Sequence, residues 1–503
     1  MLKETDPQRF QRFCEDASGL PGGRADAVAF PQTTADVADL LREANARRTP
    51  VTIAGNGTGI TGARVPFGGL VLATERMDRI FDIGIDLQTR EGYAIVQPGV
   101  TLADLKDAVA KQGWHYMPDP TETSCFLGAT LATNASGARS FHWGPTRAHV
   151  RELEVVLASG DAVHLRRGQV QAAPDGTLTL PLANGETRRF QVSFLKQPAT
   201  KNAAGYYLEP GFDAVDLFIG QEGTLGVITQ VEVRLVPAPA GVFSGVVFFP
   251  RDSSALEWVQ SIKSKSRAPQ GAGGNKLQAT ALEYLDARSL DILRTAAPGE
   301  GGRAAPLPSQ ARAAIYFEQT VHAGQDEDAL LQNWLESIES HGIPAEHCWM
   351  AQDLRTRVQL QEWRHQIAAQ INERLRRKGL PKIGTDLAVP DTGFAGLWAF
   401  YQKTLAEWGK EYAIFGHIGD NHLHIHFLPD SAEDVPRAQA LHLAMAAEAV
   451  RLGGTVSAEH GIGKIKHALL DIQLGPDGVA AMRRVKKEFD PNGILSPGNL
   501  FPL

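Results

Sequence analysis

Cysteine is scarce in this 503-residue sequence, and its scarcity excludes two kinds of structural support. The three cysteines, Cys14, Cys125 and Cys348, lie far apart and form no CxxC pair. Their spacing gives neither a disulfide framework nor a thiolate zinc site, and it fits a reducing compartment. We therefore predict a cytoplasmic protein.

Long basic runs and long apolar runs are missing as well. The chain carries 50 basic and 57 acidic residues, and no basic run suits a nucleic-acid backbone, so no nucleic-acid partner is expected. Its start lacks the apolar segment of a signal peptide, and no apolar run approaches the ~18 residues of a membrane span. A peripheral attachment to the inner membrane face would leave no such mark and stays open.

A glycine-rich loop follows the strand-like residues 50–54. It reads Gly55-Asn-Gly-Thr-Gly-Ile-Thr-Gly62, and its glycines let successive N–H groups converge on one anion, as a phosphate requires. The loop contains the G-x-G-x-x-G of Rossmann folds, but that motif needs a helix directly after it. Pro66 and two further glycines leave no room for a helix before the next strand. We interpret the loop as a phosphate cradle of another kind, with a ligand-free turn as the alternative.

Two further stretches are dense in small residues. Residues 117–139 carry mostly small and hydroxyl side chains, as expected where the backbone approaches a large flat ligand. A tight structural loop is the alternative interpretation. Gly220, Gly223 and Gly226 form a turn that opens a long strand.

Strand and helix patterns divide the chain into parts. Before residue 237 they indicate two α/β units, each with a threonine-capped helix, and residues 5–17 are predicted to form a further helix. Pro237-Ala-Pro-Ala-Gly241 is typical of a boundary. Beyond it, strands alternate with helices as in an antiparallel sheet with covering helices, interrupted by a Gly/Pro/Ala-rich loop from Ala296 to Pro308. The predicted fold class is α+β.

Four of the fifteen histidines lie within residues 417–426. Because side chains alternate along a strand, His422, His424 and His426 share one face, with apolar side chains on the other. Imidazoles gathered on one face favour a metal or a catalytic site over a core role.

A carboxylate and a fifth histidine follow in Val456-Ser-Ala-Glu-His-Gly-Ile-Gly-Lys464. Glu459 and two of the histidines would make a 2-His-1-carboxylate set, which suits Zn²⁺, Mn²⁺ or Fe²⁺. His460 would then remain for proton transfer. For Glu459 the alternative is a helix N-cap or a surface acid.

Arg364, Lys382 and Asp386 are charged residues next to a predicted helix and strand. An anionic substrate needs at least one cation, and a guanidinium grips a carboxylate with two hydrogen bonds. A solvated position on the helix surface is the alternative for Arg364.

Six motifs together resemble one family over roughly residues 28 to 503. They are Ala54-Gly-Asn-Gly-Thr-Gly-Ile-Thr-Gly62, Pro118-Asp-Pro120 with Gly128-Ala-Thr-Leu-Ala-Thr-Asn-Ala-Ser-Gly137, Gly220-Gln-Glu-Gly-Thr-Leu-Gly-Val-Ile228, Gly416-His-Ile-Gly-Asp420, Ser457-Ala-Glu-His-Gly-Ile-Gly463 and Leu495-Ser-Pro-Gly-Asn-Leu500. The sequence resembles the FAD-dependent 2-hydroxy-acid dehydrogenases of the vanillyl-alcohol-oxidase type, with a PCMH-type FAD-binding domain. D-lactate dehydrogenases, D-2-hydroxyglutarate dehydrogenases and the glycolate oxidase flavin subunit belong to this group.

The resemblance implies three segments. Residues 1–238 would be the FAD-binding domain, with subdomains at about 28–75 and 76–238. Residues 239–455 would be an inserted α+β substrate or cap domain that carries the metal site and an antiparallel sheet. Residues 456–503 would return to the FAD domain.

The resemblance also assigns residues to roles. His417, His424 and Glu459 match the family's metal ligands, His460 matches its proposed base, and Arg364 matches the arginine that binds the substrate carboxylate. Lys382 and His426 are further candidates for substrate binding. The positions expected to bind FAD, without a covalent link, are Gly55, Asn56, Gly57, Thr58, Gly59, Thr61, Gly62, Pro118, Asp119, Gly128, Ala129, Ala132, Asn134, Ser136, Gly137, Glu222, Gly223, Gly226, Val227, Ile228 and Asn499.

The activity implied by the resemblance is oxidation of a D-2-hydroxy acid to the 2-oxo acid, with metal-assisted proton abstraction and hydride transfer to flavin N5. D-lactate is the first choice, and D-2-hydroxyglutarate or a glycolate oxidase-type activity is the alternative. A non-catalytic flavin-binding subunit of a larger complex is the alternative from another class. Zn²⁺ is the first choice of metal, and a quinone, a cytochrome or an electron-transfer flavoprotein would accept the electrons. A homodimer stays open.

The chain departs from the family's pattern on the substrate side. The usual Asp-Gly-Asn-Leu-His reads Asp420-Asn-His-Leu-His424, and the asparagine often found two residues later is His426. Gly384 stands where the family often has a lysine, and the family's Tyr-Gly-Thr-Thr stretch reads Trp143-Gly-Pro-Thr146 here. These departures bear on the identity of the substrate, and the sequence leaves open whether His422 or His426 joins the metal ligands.

Overall fold

The computed structural model describes residues 2–268, 275–295 and 307–502. The predicted loop from Ala296 to Pro308 lies outside the described residues up to position 306. None of the helices in the described ranges is both long and apolar enough to cross a membrane.

Strands occur along the whole described chain. They are β1 (Leu2–Glu4), β2 (Ala27–Phe30), β3 (Val51–Ala54), β4 (Leu70–Ala73), β5 (Ile80–Ile85), β6 (Gly92–Val96), β7 (Trp114–His115), β8 (Val150–Val156), β9 (Ala162–Arg166), β10 (Thr177–Pro181), β11 (Thr187–Gln191), β12 (Val227–Pro237), β13 (Gly241–Phe249), β14 (Ala279–Asp286), β15 (Ala313–Val321), β16 (Cys348–Ala351), β17 (Ile383–Gly384), β18 (Leu387–Ala388), β19 (Tyr412–Gly416) and β20 (His422–Phe427).

Helices alternate with these strands. They are α1 (Pro7–Phe10), α2 (Thr34–Arg47), α3 (Leu102–Ala110), α4 (Leu127–Ala132), α5 (Ser140–Trp143), α6 (Ala214–Leu217), α7 (Asp252–Arg267), α8 (Ala287–Thr295), α9 (Glu327–Glu339), α10 (Leu354–Lys378), α11 (Asp391–Trp408), α12 (Val435–Arg451) and α13 (His467–Phe489), the last with a kink at Gly475.

The helix predicted for residues 5–17 is only two short pieces. α1 ends at Phe10, and a 3₁₀ turn covers Gln11–Phe13. The three-residue spacing of 3₁₀ geometry places Phe10 and Phe13 side by side, and both side chains are buried.

The described chain divides into two compact units. Unit 1 consists of Met1–Gly137, Gly144–Ala238 and Thr455–Leu503, and unit 2 of Ala138–Trp143 and Pro239–Gly454. All six residues of Ala138–Trp143 thus cluster with a unit whose main part begins about a hundred residues later.

Unit 1 contains a small mixed sheet that ends in the glycine-rich loop. Its strand order is β1-β2-β4-β3, with β2, β3 and β4 parallel. The helix α2 covers it, capped at Thr33 by a reciprocal pair of hydrogen bonds with Asp36. Because β3 is parallel to its neighbour and ends at Ala54, the loop at 55–62 follows the carboxyl end of the sheet, where α/β folds commonly bind ligands.

A larger antiparallel sheet in unit 1 has the order β5-β6-β12-β8-β9, and β7 also pairs with β12. The C-terminal segment joins the smaller sheet through a parallel bridge between Val51 and Leu495. Ile494 and Leu495 are buried in one apolar cluster with side chains of α2, β3 and β8. Residues that come last in the chain are therefore part of the core of unit 1.

Unit 2 is built on one antiparallel sheet with helices on both faces. The strand order is β16-β13-β15-β14-β19-β20-β17, and β18 also pairs with β20. Trp258 of α7 and Trp334 of α9 pack with Phe317 of β15 on one face. The other face holds an apolar cluster with α8 and α10, in which Tyr316 and Trp363 take part. The predicted fold class, an α+β protein with an antiparallel sheet in the inserted part, is confirmed.

Candidate functional site

Unit 1 holds every residue that the resemblance assigns to FAD. The glycine loop leaves β3 with left-handed backbone at Gly57 (φ 81°) and Gly62 (φ 73°). A Cβ built on Gly59 meets no atom of the described residues within 4 Å, so this part of the loop is open on that side. The Asn56 side chain donates to the Ser124 carbonyl at 2.8 Å and ties the loop to the second small-residue stretch. An open, left-handed glycine loop fits the phosphate cradle predicted from sequence.

The second stretch lies directly beside the glycine loop. Gly128, Ala129 and Ala132 are in α4, and a Cβ on Gly55 would lie 3.1 Å from the Ala129 Cβ. A Cβ on Gly137 would lie 2.0 Å from the carbonyl oxygen of Asp119. Close contact between neighbouring segments of the chain therefore explains part of the small-residue composition, as expected for a tight structural loop.

Glu222 joins the 220s turn to the segment that carries Glu459. Its carboxylate accepts hydrogen bonds from the backbone N–H groups of Ile462 and Gly463, each at 2.7 Å. Its own N–H donates to the Ala132 carbonyl, and its backbone has φ 53°. Burial raises the pKa of the Glu222 carboxyl to about 7, against the two N–H donors. The carboxylate is thus engaged with backbone groups of the protein.

The C-terminal motif closes the same region. Asn499 donates from its amide to the Glu222 carbonyl at 2.8 Å, and Lys464 donates to the Asn499 side-chain oxygen at 2.6 Å. The Lys464 N–H donates to the Thr61 carbonyl in the glycine loop. Burial lowers the pKa of Lys464 to about 8. Four motifs that lie far apart in sequence therefore meet in unit 1, and their glycines, amides and backbone donors are of the kind that fits a dinucleotide such as FAD.

Glu459 is held by two side chains of unit 1, Ser136, which the resemblance assigns to FAD, and Lys201, which the sequence did not single out. The Ser136 hydroxyl donates to its Oε2 at 2.9 Å, and the Lys201 ammonium lies 3.3 Å from the same oxygen. The glycines that follow it in the turn, Gly461 and Gly463, both have positive φ. The side chain of Glu459 is only partly buried, whereas a surface acid would be exposed.

Unit 2 brings three of the predicted histidines together. His417 follows β19, while His422 and His424 lie on β20, and all three are buried. One ligand nitrogen of each ring lies within 4.8 Å of those of the other two. Imidazole nitrogens at such spacing are a donor set for Zn²⁺, Mn²⁺ or Fe²⁺, so the side chains fit a divalent metal.

Each of these imidazoles also has an oxygen acceptor beside it. His417 Nδ1 is 2.5 Å from Oε1 of Glu283, His422 Nε2 is 3.1 Å from Oδ1 of Asp386, and His424 Nδ1 is 3.0 Å from the Thr385 carbonyl. Metal-binding histidines typically donate their second N–H to an acceptor of this kind, which fixes the ring and its tautomer.

Arg364 on α10 reaches the same cluster through Glu283. Its guanidinium lies 3.1 Å from Oε2 of Glu283, and it also lies over the ring of Tyr316. The arginine is therefore a half-buried cation joined by one carboxylate to His417, and it is not the solvated helix residue that the alternative reading described.

His426 lies next to His424 on the same face of β20. Its ring stacks on Phe415, with centroids 5.0 Å apart, and it lies 6.2 Å from the ring of His424. A Cβ on Gly384 would lie 2.7 Å from His426 Nδ1. The glycine and the histidine, both departures from the family's pattern, are therefore in contact with one another.

Lys382 lies just before β17. Its side chain is exposed by surface area, although enough protein surrounds the ammonium to lower its pKa by desolvation. The side chain of Lys382 is thus accessible to solvent.

The segment Ala138–Trp143 supports the histidine strand within unit 2. Arg139 pairs with Glu318 of β15 at 2.7 Å, and Ser140 donates to Asp420. The ring of Phe141 lies so close to Gly419 that a Cβ there would be 2.7 Å away. Glycine is thus required in the turn that precedes His422.

Sequence reasoning missed Glu283 and Lys201, and it assigned Ser136 to the FAD site without its contact with Glu459. For Glu283 there was a signal, because a lone carboxylate stands among apolar residues in Ala281-Leu-Glu-Tyr-Leu285, and a buried charge of this kind needs partners. Ser136 and Lys201 are far from Glu459 in sequence, and no local pattern indicates that they meet.

Comparison with known proteins identifies the family. Residues 25–166 match the family described as FAD binding domain, and residues 251–500 match FAD linked oxidases, C-terminal domain. A glycolate oxidase subunit GlcD of Bacillus subtilis is 30% identical over 97% of this chain and 92% of its own length. A D-lactate dehydrogenase of Archaeoglobus fulgidus is 29% identical over 94% of this chain and 90% of its own.

A solved structure shares the fold. An alkyldihydroxyacetonephosphate synthase superposes with a TM-score of 0.67 at 16% identity, over 98% of this chain and 82% of its own. The chain belongs to the family of FAD-linked oxidases with a PCMH-type FAD-binding domain, in the group of glycolate oxidase subunits, D-lactate dehydrogenases and D-2-hydroxyglutarate dehydrogenases. It is a flavoprotein oxidoreductase of a group that oxidises hydroxy acids. The family predicted from the sequence motifs is therefore confirmed.

Proposed function

We propose that this protein is a D-lactate dehydrogenase that oxidises D-lactate to pyruvate with bound FAD and a divalent metal. The observation that carries the proposal is in unit 2, where Arg364 and three buried imidazoles converge on Glu283 and Asp386. A carboxylate-binding cation beside a metal donor set is what a 2-hydroxy acid needs, because its carboxylate and hydroxyl are on adjacent carbons.

In the proposed mechanism Arg364 binds the substrate carboxylate with two hydrogen bonds and orients the carbon that carries the hydroxyl. By the family resemblance, His417, His424 and Glu459 would hold the metal, and His460 would accept the hydroxyl proton. Bound metal supplies a Lewis acid that favours loss of that proton, and bound FAD supplies the acceptor of the hydride at N5. The substrate loses one proton and one hydride and becomes the 2-oxo acid.

D-lactate is preferred to D-2-hydroxyglutarate because the second acid carries a second carboxylate. Arg364 is assigned to the first carboxylate, and the partly buried guanidinium of Arg139 is already paired with Glu318. Gly384 stands where relatives often have a lysine. D-2-hydroxyglutarate and glycolate remain the alternative substrates, since relatives carry those names.

The electron acceptor completes the proposal. We propose that a quinone, a cytochrome or an electron-transfer flavoprotein accepts the electrons. We further propose a cytoplasmic location, with peripheral attachment at the inner membrane face as an option. Zn²⁺ is the proposed metal, ahead of Mn²⁺ and Fe²⁺. A homodimer is compatible with this function.

The test is anaerobic reduction of the bound flavin by a panel of D- and L-2-hydroxy acids, with metal analysis of the same sample. D-lactate should bleach the flavin absorbance fastest, L-lactate should not, and removal of the metal should slow the reaction at least 100-fold. If only D-2-hydroxyglutarate or only glycolate bleaches the flavin, that acid is the substrate in place of D-lactate. Flavin that no hydroxy acid reduces would favour an oxidase of another alcohol or a non-catalytic subunit.

A further inference from the structure

We propose that His422 is a third imidazole ligand of the metal, in addition to the ligands that the resemblance implies. The inference rests on the proposed function, since it concerns the same metal. His422 takes the place of an asparagine in the family's usual Asp-Gly-Asn-Leu-His, so the additional ligand belongs to this chain.

The first support is position. His422 and His424 are two residues apart on β20, so both rings lie on the same face of the strand. Their centroids are 4.4 Å apart, and the centroid of His417 lies 5.3 Å from that of His422. His422 is thus as close to each of the two other histidines as they are to each other, at 5.6 Å.

The second support is the pair that His422 forms with Asp386. Both side chains are at most 1% exposed, and Nε2 lies 3.1 Å from the carboxylate. An acceptor on one ring nitrogen directs the other nitrogen, in its unprotonated form, toward a ligand. His417 and His424 have hydrogen-bond partners in Glu283 and the Thr385 carbonyl, so an oxygen lies beside one nitrogen of each of the three rings.

His426 provides the contrast. It lies on the same strand face, but its ring stacks on Phe415 and packs against Gly384, 6.2 Å from the ring of His424. His426 is not part of the group of histidines whose ligand nitrogens converge. The two histidines that the sequence could not distinguish therefore have different roles: His422 binds the metal, and His426 lines the space beside it.

The experiment counts imidazoles on the metal. The FAD-loaded full-length protein is stripped with a chelator and reloaded with Zn²⁺, and X-ray absorption at the zinc edge gives the number of imidazole ligands. We expect three in the wild-type protein and in His426→Asn, and two in His422→Asn. A count of two in the wild-type protein overturns the inference without any variant having to fold, and it leaves the proposed function intact.

Zinc affinity gives a second readout. Competition with a chromophoric chelator should show an affinity for Zn²⁺ at least 10-fold weaker in His422→Asn than in the wild-type protein. His426→Asn should remain within about 2-fold, and flavin absorbance per chain should be equal in all three proteins. Equal affinity in His422→Asn and the wild-type protein contradicts the inference, whereas a wild-type protein that binds no metal contradicts the metal-assisted function itself.

Discussion

Glu283 is the residue through which the proposed metal ligand His417 and the proposed substrate arginine are coupled. One carboxylate oxygen is 2.5 Å from His417 Nδ1, and the other is 3.1 Å from the Arg364 guanidinium. A buried carboxylate in this position stabilises the ring orientation of the histidine and the position of the arginine at the same time.

Replacement of this carboxylate should therefore affect metal and substrate together. We expect Glu283→Gln to weaken Zn²⁺ binding by about 10- to 100-fold and to raise KM for D-lactate. Chelator competition and steady-state kinetics measure the two effects.

Glu318→Gln is the matched control for this variant. Glu318 lies on the neighbouring strand β15, is as buried as Glu283 and pairs with Arg139 at 2.7 Å. The control should keep the wild-type affinity for Zn²⁺. Equal losses in the two variants would mean that the loss reflects a general cost of removing a buried charge.

Gly384 and His426 form a second coupled pair of residues. Since a Cβ at position 384 would lie 2.7 Å from His426 Nδ1, Gly384→Ala must displace the imidazole. We expect this variant to raise KM for D-lactate several-fold with a smaller change in kcat. In a His426→Asn background the same substitution should cost less, with a coupling of about 1 kcal/mol between the two positions. Additive effects in the four-protein cycle would show that the contact has no bearing on substrate binding.

At the scale of elements, the turn at 457–464 depends on a carboxylate from another segment. Burial raises the pKa of Glu222 from 4.5 to about 7, so the folded protein binds a proton at this site more tightly than the unfolded chain does. The free energy of unfolding should therefore fall as the pH rises from about 4.5 to 7, by about 3 kcal/mol if the whole shift is expressed.

Glu222→Gln removes this titration while it keeps an acceptor near Ile462 and Gly463. We expect the variant to lack the decrease in thermal stability between pH 5 and pH 7.5 that the wild-type protein shows. Unfolding temperatures of the flavin-loaded proteins, measured across this pH range, provide the comparison. Parallel curves for the two proteins would exclude Glu222 as the source of the pH dependence.

The same turn touches the glycine loop at Gly463. Its backbone has φ 55°, and a Cβ there would lie 2.1 Å from the Thr61 carbonyl. Gly463→Ala should therefore push the two loops apart, cost at least about 1–3 kcal/mol and weaken FAD retention at least 10-fold. Gly493→Ala is the control, because its φ of 66° is similar but no atom of the described residues lies within 4 Å. It should cost about 1 kcal/mol and keep the flavin, as judged by flavin absorbance per chain.

At the scale of the whole molecule, the C-terminal segment contributes to the core of unit 1. Leu495 is fully buried in a cluster with Val37, Leu41 and Val51. We expect Leu495→Ala to lower the free energy of unfolding of unit 1 by about 2–5 kcal/mol and to release FAD at a lower temperature. Leu360→Ala makes a comparable cavity in the core of unit 2 and should lower the unfolding temperature without the same shift in flavin release. Identical shifts in flavin release would contradict the assignment of the flavin to unit 1.

Much of this organisation could be predicted from the sequence because it is written in local patterns. Capped helices such as α2, the alternation along β20 and the missing helix after the glycine loop each depend on neighbouring residues. The motifs also led to the family and to the fold class, and both are confirmed. The roles of individual site residues remain proposals.

Other features depend on contacts between distant segments and could not be predicted. The Ser136 and Lys201 contacts with Glu459 join positions 323 and 258 residues apart. The assignment of Ala138–Trp143 to unit 2 depends on Arg139, Phe141 and their partners Glu318 and Gly419, which come much later in the chain. Distinguishing His422 from His426 required the positions of Asp386 and Gly384, which the alternation along one strand does not give.

The bridge between Val51 and Leu495 has a consequence for the order of events on the ribosome. A strand made early in synthesis has to wait for its partner until the whole of unit 2 and most of residues 455–503 have emerged, which takes about half a minute or more at typical elongation rates. Unit 2 can fold during translation, whereas unit 1 is completed only at its end. Incorporation of the flavin is thus expected after synthesis, and a chain truncated after residue 454 should contain a folded insert and no bound cofactor.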